Sequence, residues 1–136
     1  MNLFLDDFRE PKDALNYMHP RIGKEASLYG NLEWKTVKDF KEFVYFIETN
    51  GIPDIVSFDH DLADEHYEIV CSCGSIEDFP ETFNEKTGLD CAKWLIKYHV
   101  TNGGTFPKVM VHSTNPYGSE RIRKYIDEYT KHSLYL

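Results

Sequence analysis

Little in this chain suits a membrane, a disulfide scaffold or a general nucleic-acid binder. No apolar run in its 136 residues approaches the roughly 20 residues of a membrane-spanning helix. Cysteine is scarce and odd in number (Cys71, Cys73 and Cys91), so reduced thiols are expected. Cations are outnumbered, with 15 Lys and Arg against 23 Asp and Glu, for a net charge of −8. Nonspecific nucleic-acid binders usually carry the opposite sign. Any RNA or nucleotide contact must therefore be local, with no extended nucleic-acid surface. Met1-Asn2-Leu3-Phe4-Leu5 meets Asp6 at once, without the basic, apolar and small-residue pattern of a signal peptide. A cytoplasmic location is the default expectation. Internal repeats and low-complexity tracts are also missing.

What is present is a globular composition, 41% hydrophobic and 28% charged. Its length fits a single domain over 1–136. Three apolar, β-prone runs each stop in polar, reactive residues. Leu3-Phe4-Leu5 leads into Asp6-Asp7-Phe8-Arg9, Ile55-Val56-Ser57-Phe58 into Asp59-His60-Asp61, and Val109-Met110-Val111 into His112-Ser113-Thr114-Asn115. Such runs suit buried parallel strands.

Strands are expected at 2–6, 32–36, 54–59 and 108–113. A short helix is expected around Pro11 to Tyr17, followed by loop to residue 30. A second helix starts from a capping-box-like Thr36 and Asp39, carries Val37, Phe40, Val44 and Ile47 at helical spacing, and stops at Asn50-Gly51. Residues 60–86 are acidic and irregular, and read as an insertion over the crevice with a short hairpin at Glu68 to Ser72. Thr87 to Asp90 opens another helix, and Asn115-Pro116 the last one. Leu134 to Leu136 could add a small edge strand. The alternation predicts a three-layer, doubly wound parallel α/β sheet in the order 2-1-3-4.

Ligands of such sheets gather at the carboxyl ends of the strands. Asp6, Asp7, Asp59 and Asp61 would meet there, and two carboxylates about 4 Å apart repel by roughly 4 kcal/mol at an effective dielectric near 20. They need a cation, an arginine or a shared proton. Mg²⁺ or Mn²⁺ suits such oxygen ligands, and Arg9 is near in sequence. His60 and His112 could divide acid and base duties across a phosphate ester, or could simply orient the aspartates. The helix start at Ser113 and Asn115 offers amides to a phosphate, with Tyr117 and Gly118 lining the seat, or Asn115 is an ordinary cap. Cys71, Cys73, His66 and Cys91 have zinc-ligand chemistry without the spacing of a common zinc module. His99, on the inner face of its helix, reads as a satisfied boundary residue.

Leu-Phe-Leu-Asp-Asp-Phe-Arg-Glu-Pro (3–11), Ser-Phe-Asp-His-Asp-Leu (57–62), Thr-Gly-Leu-Asp-Cys-Ala-Lys-Trp-Leu (87–95) and His-Ser-Thr-Asn-Pro-Tyr-Gly (112–118) span most of the chain. Together they resemble the cyclic-phosphate-processing receiver-like domains, a divergent branch of the receiver (flavodoxin-like) fold found in bacteria and phages. The resemblance implies that Asp6 and Asp7 match the receiver's metal-binding pair, Asp59 its phosphoacceptor and Ser113 its hydroxyl. It also implies an RNA end or small nucleotide bearing a cyclic phosphate as ligand. The expected function is a phosphoesterase with His60, His112, Asp59 and Arg9 as catalytic groups. The alternatives are a signalling receiver phosphorylated on Asp59 and a noncatalytic nucleotide-binding module. The first helix, the insertion and the lack of a visible fifth strand ending in lysine depart from an ordinary receiver.

Overall fold

A computed structural model describes residues 1–62 and 86–134. Four parallel strands form one sheet in the order β2-β1-β3-β4, as expected. They are β1 (Asn2–Leu5), β2 (Lys35–Val37), β3 (Ile55–Phe58) and β4 (Lys108–Val111). The helices are α1 (Pro11–Ile22), α2 (Leu28–Asn31), α3 (Phe40–Asn50), α4 (Gly88–Asn102) and α5 (Pro116–Leu134). A 3₁₀ segment, Gly23–Ser27, joins α1 to α2.

Side chains alternate across a strand, and this divides the core in two. Leu3, Leu5, Val56, Phe58 and Val111 pack with Phe43, Leu95 and Ile122 from α3, α4 and α5. Phe4 and Met110 turn the other way, onto Ala14, Met18 and Tyr29. The sheet is covered on both faces, which explains why its strands read as continuous apolar runs.

Three expectations about the elements need correction. The first helix is longer than Pro11 to Tyr17. A reciprocal Glu10–Asp13 capping box starts it, Pro11 takes the first helical position, and the helix runs through Pro20 to Ile22. The stretch to residue 30, expected to be loop, is mostly helical. The second strand is Lys35–Val37, so Thr36 belongs to a strand and Asp39 caps α3 instead, accepting from the Glu42 amide. Val37 packs as the last residue of β2 and not as part of a helical stripe. Thr87 and Asp90 form the expected capping box of α4. His99 bonds Tyr129 Oη and the Gly104 carbonyl, a satisfied boundary residue. Leu134 ends α5, so it starts no strand; residues 135–136, the Glu68 to Ser72 hairpin, and His66, Cys71 and Cys73 lie outside the described residues. Cys91 is fully buried in the core, and burial raises its thiol pKa well above the ordinary value.

Candidate functional site

Leu5, Phe58 and Val111 lie side by side across β1, β3 and β4. The ladder continues one step beyond them: the Asp59 amide donates to Leu5 O and the His112 amide to Phe58 O, both at 3.0 Å. The next residues are therefore in register, and they are Asp6, Asp59 and His112. All three are buried, and one ligand-type atom from each lies within 4.8 Å of the others.

Asp6 is held from three directions. Its Oδ1 accepts from the amides of Phe8 and Arg9 at 3.0 and 2.9 Å, and His112 Nε2 lies 3.0 Å from its Oδ2. Burial pushes its pKa up, but the His112 bond and the two amides outweigh that and leave it below the ordinary carboxylate value. For His112 the balance is reversed. Complete burial lowers its pKa, and Asp6 only partly offsets this.

Asp59 is less well supplied. Its Oδ1 accepts from the His60 amide at 2.9 Å, while Oδ2 is buried without a hydrogen-bond partner among the described residues. Burial and the neighbouring Asp6 raise its pKa to about 8. Arg9 pulls it down, and so does Ser113, without a hydrogen bond that satisfies Oδ2. Asp7, half-buried, also has an unpartnered oxygen, Oδ1, and is raised to about 6 by burial and by Asp6. Asp6, Asp59 and His112 could hold a metal ion, while Asp7, beside Asp6, lies outside that group. The carboxylate oxygens are of the kind a hard divalent cation such as Mg²⁺ or Mn²⁺ takes.

Arg9 supplies positive charge to the same rim. Its Nη1 donates to Tyr17 Oη at 3.1 Å and its Nη2 to Thr114 Oγ1 at 3.3 Å. Tyr17 in turn donates to the His112 carbonyl at 2.7 Å. The guanidinium carbon sits 4.8 Å from the Phe8 ring centroid and 5.3 Å from that of Tyr17. Burial opposes its charge, but Tyr17 and the carboxylates of Asp59 and Asp6 raise its pKa.

Other expected residues serve one another. His60 Nδ1 lies 3.0 Å from Asp61 Oδ1, and Asn115 Nδ2 donates to that same oxygen at 3.2 Å. Asp61 is thus outside the metal-type group of Asp6, Asp59 and His112. Asn115 Oδ1 accepts from the Tyr117 and Gly118 amides, both at 3.1 Å. Asn115 thus caps the helix with those two amides, the alternative to a phosphate seat. Gly118 also has another reason to be glycine, since a Cβ there would lie 2.3 Å from His60 Cγ. Both histidine rings are fully buried, as are Asp6 and Asp59. Ser113 Oγ accepts from the Asn115 amide at 3.1 Å.

Sequence patterning assigns no site role to Tyr17, Tyr29 or Ser57. Ser57 had one available signal. It is two residues before Asp59 on a strand, and so shares its side of the sheet.

A parallel, doubly wound sheet with carboxylates at the carboxyl ends of adjacent central strands defines a receiver-like α/β domain. The chain belongs to the cyclic-phosphate processing receiver domain family, whose family model matches residues 1–128. No curated protein and no solved structure gave a match. Among the described residues, no helix is long and apolar enough to cross a membrane.

Proposed function

We propose that this domain is a cation-assisted phosphoesterase acting on cyclic phosphates of RNA ends or nucleotides. The observation that carries the reading is the pair of buried, unpartnered oxygens, Asp59 Oδ2 and Asp7 Oδ1, beside Asp6. A buried carboxylate oxygen without a donor is costly, and a site shaped for a cation explains it. Asp6, Asp7 and Asp59 would hold Mg²⁺ or Mn²⁺, which when bound neutralises carboxylates and polarises a phosphate oxygen. Arg9 takes up phosphate charge, with the exposed Thr114 hydroxyl already at its Nη2. Ser113 adds a second hydroxyl near Asp59. His112 and His60 act through their neighbours, holding Asp6 and Asp61. Family membership supports a link to cyclic-phosphate processing.

The test is hydrolysis of a 2′,3′-cyclic nucleotide with Mg²⁺ or Mn²⁺, and again after chelation. Turnover should require the cation and fall to background in Asp59→Asn. Wild-type turnover no faster than that variant would remove the enzymatic reading. Tight binding without turnover would mark a nucleotide-binding module. An Asp59-dependent phosphate adduct from a small phosphodonor would mark a signalling receiver.

A further inference from the structure

Behind Asp6 runs a chain of buried hydrogen bonds. Tyr29 Oη lies 2.7 Å from Ser57 Oγ, Ser57 Oγ lies 2.7 Å from His112 Nδ1, and His112 Nε2 lies 3.0 Å from Asp6 Oδ2. Its members come from α2, β3 and the residues just past β4 and β1, and meet on one face of the sheet. Phe4 stacks on the His112 ring with centroids 4.1 Å apart, and Tyr29 meets it edge-on. The ring is therefore packed as well as bonded.

Distances alone do not orient such a chain, but its ends do. Tyr29 is buried, and among the described residues Ser57 is the one hydrogen-bond partner of its hydroxyl. The phenolic hydrogen can satisfy itself only on Ser57 Oγ. Ser57 has a single hydrogen, and the remaining partner for it is His112 Nδ1. Nδ1 is then an acceptor, so the one proton of a neutral imidazole is on Nε2. That proton points at Asp6 Oδ2. The opposite direction would place the proton on Nδ1 and strand a buried hydroxyl hydrogen at Ser57 or Tyr29. It is also the arrangement that His112 would need in order to ligate a metal through Nε2, because a ligating histidine donates its other N–H.

We propose that Tyr29 and Ser57 are positioning residues that fix His112 as its Nε2–H tautomer, so that the imidazole serves Asp6 as a donor and does not ligate the cation. The inference rests on the reading above for the presence of a cation, and refines what holds it. The three residues grouped by distance then divide: Asp6 and Asp59 are ligands, and His112 holds a ligand in place. An oxygen-only set favours Mg²⁺ or Mn²⁺, whereas an imidazole in the set would favour Zn²⁺.

The test is a long-range ¹H–¹⁵N spectrum of the ¹⁵N-labelled full chain, without metal and with saturating Mg²⁺. The expected His112 ring has a protonated Nε2 and a bare, hydrogen-bonded Nδ1 in both. A ring protonated at Nδ1, doubly protonated, or stripped of its Nε2 proton by Mg²⁺ would overturn the proposal. Tyr29→Phe preserves the core shape and frees the Ser57 hydroxyl, so the Nδ1 signal should move. Ser57→Ala should move it further and weaken Mg²⁺ binding by calorimetry roughly tenfold, as loss of a supporting contact does. Ring signals unchanged in both variants would also overturn it. A chain that binds no Mg²⁺ yet shows the Nε2–H ring upholds the relay and removes the cation from the phosphoesterase reading.

Discussion

Gly88 and Asp59 touch so closely that no side chain fits between them. A Cβ on Gly88 would lie 1.7 Å from the Asp59 carbonyl oxygen, and the Gly88 amide donates to His60 O at 2.8 Å. The start of α4 is thereby fastened to the end of β3, directly behind a proposed ligand. The obstacle is backbone, which cannot swing aside as a flexible side chain can.

Gly88→Ala should consequently separate these two elements. The expected loss is about 1–3 kcal/mol of unfolding free energy or more, typical of overpacking. Urea denaturation measures it, and Mg²⁺ titration should show weaker binding as Asp59 moves. Wild-type stability in this variant would mean that the junction is looser than its contacts indicate.

Asp59 should make the metal-free protein sensitive to alkali. Its folded pKa of about 8 is far above the ordinary 3.8, so the folded state keeps a proton that the unfolded chain releases. Stability then falls as pH rises from about 4 to about 8 and levels off above that. Each pKa unit corresponds to about 1.4 kcal/mol, so the full effect is at most several kcal/mol. Asp59→Asn should flatten this pH dependence and raise the melting temperature at pH 8 without divalent cations. Added Mg²⁺ should stabilise wild type more at pH 8 than at pH 6, and leave the variant nearly unmoved. Thermal unfolding at both pH values is the measurement.

Arg9→Ala should lower turnover of a cyclic nucleotide roughly a hundredfold, the scale of one lost anion-stabilising donor. Arg9→Lys should recover little, because one ammonium cannot span Tyr17 and Thr114 as the planar fork does. Steady-state kinetics on the cyclic nucleotide decides this. Near-normal turnover in Arg9→Ala would move the phosphate away from this rim.

Much of the fold was legible because its signals are local and strong. A sheet covered on both faces needs apolar residues on both, and β1, β3 and β4 show them. Thr87 and Asp90 announce α4 by chemistry alone. The failures have physical reasons as well. Pro20 reads as a stop, yet it sits in the last turns of α1. Thr36 and Asp39 are both good caps, and only pairing with β1 carries the strand on to Val37 and leaves the cap to Asp39. At the site, the Asp6, Asp59 and His112 row followed from three strand ends. Asn115 shows the opposite lesson: the residue that marks a helix start is the one that occupies its first amides. Tyr29 gave no local sign, and Ser57 only its place two residues before Asp59, since their roles exist only across the folded sheet.

The row of Asp6, Asp59 and His112 draws on β1, β3 and β4, segments from the opening, middle and later parts of the chain. During synthesis the two acidic members emerge first and wait for the imidazole. A growing polypeptide that has not reached β4 holds Asp6 by the Phe8 and Arg9 amides alone, without His112. The complete row should thus form late, when the last parallel strand docks.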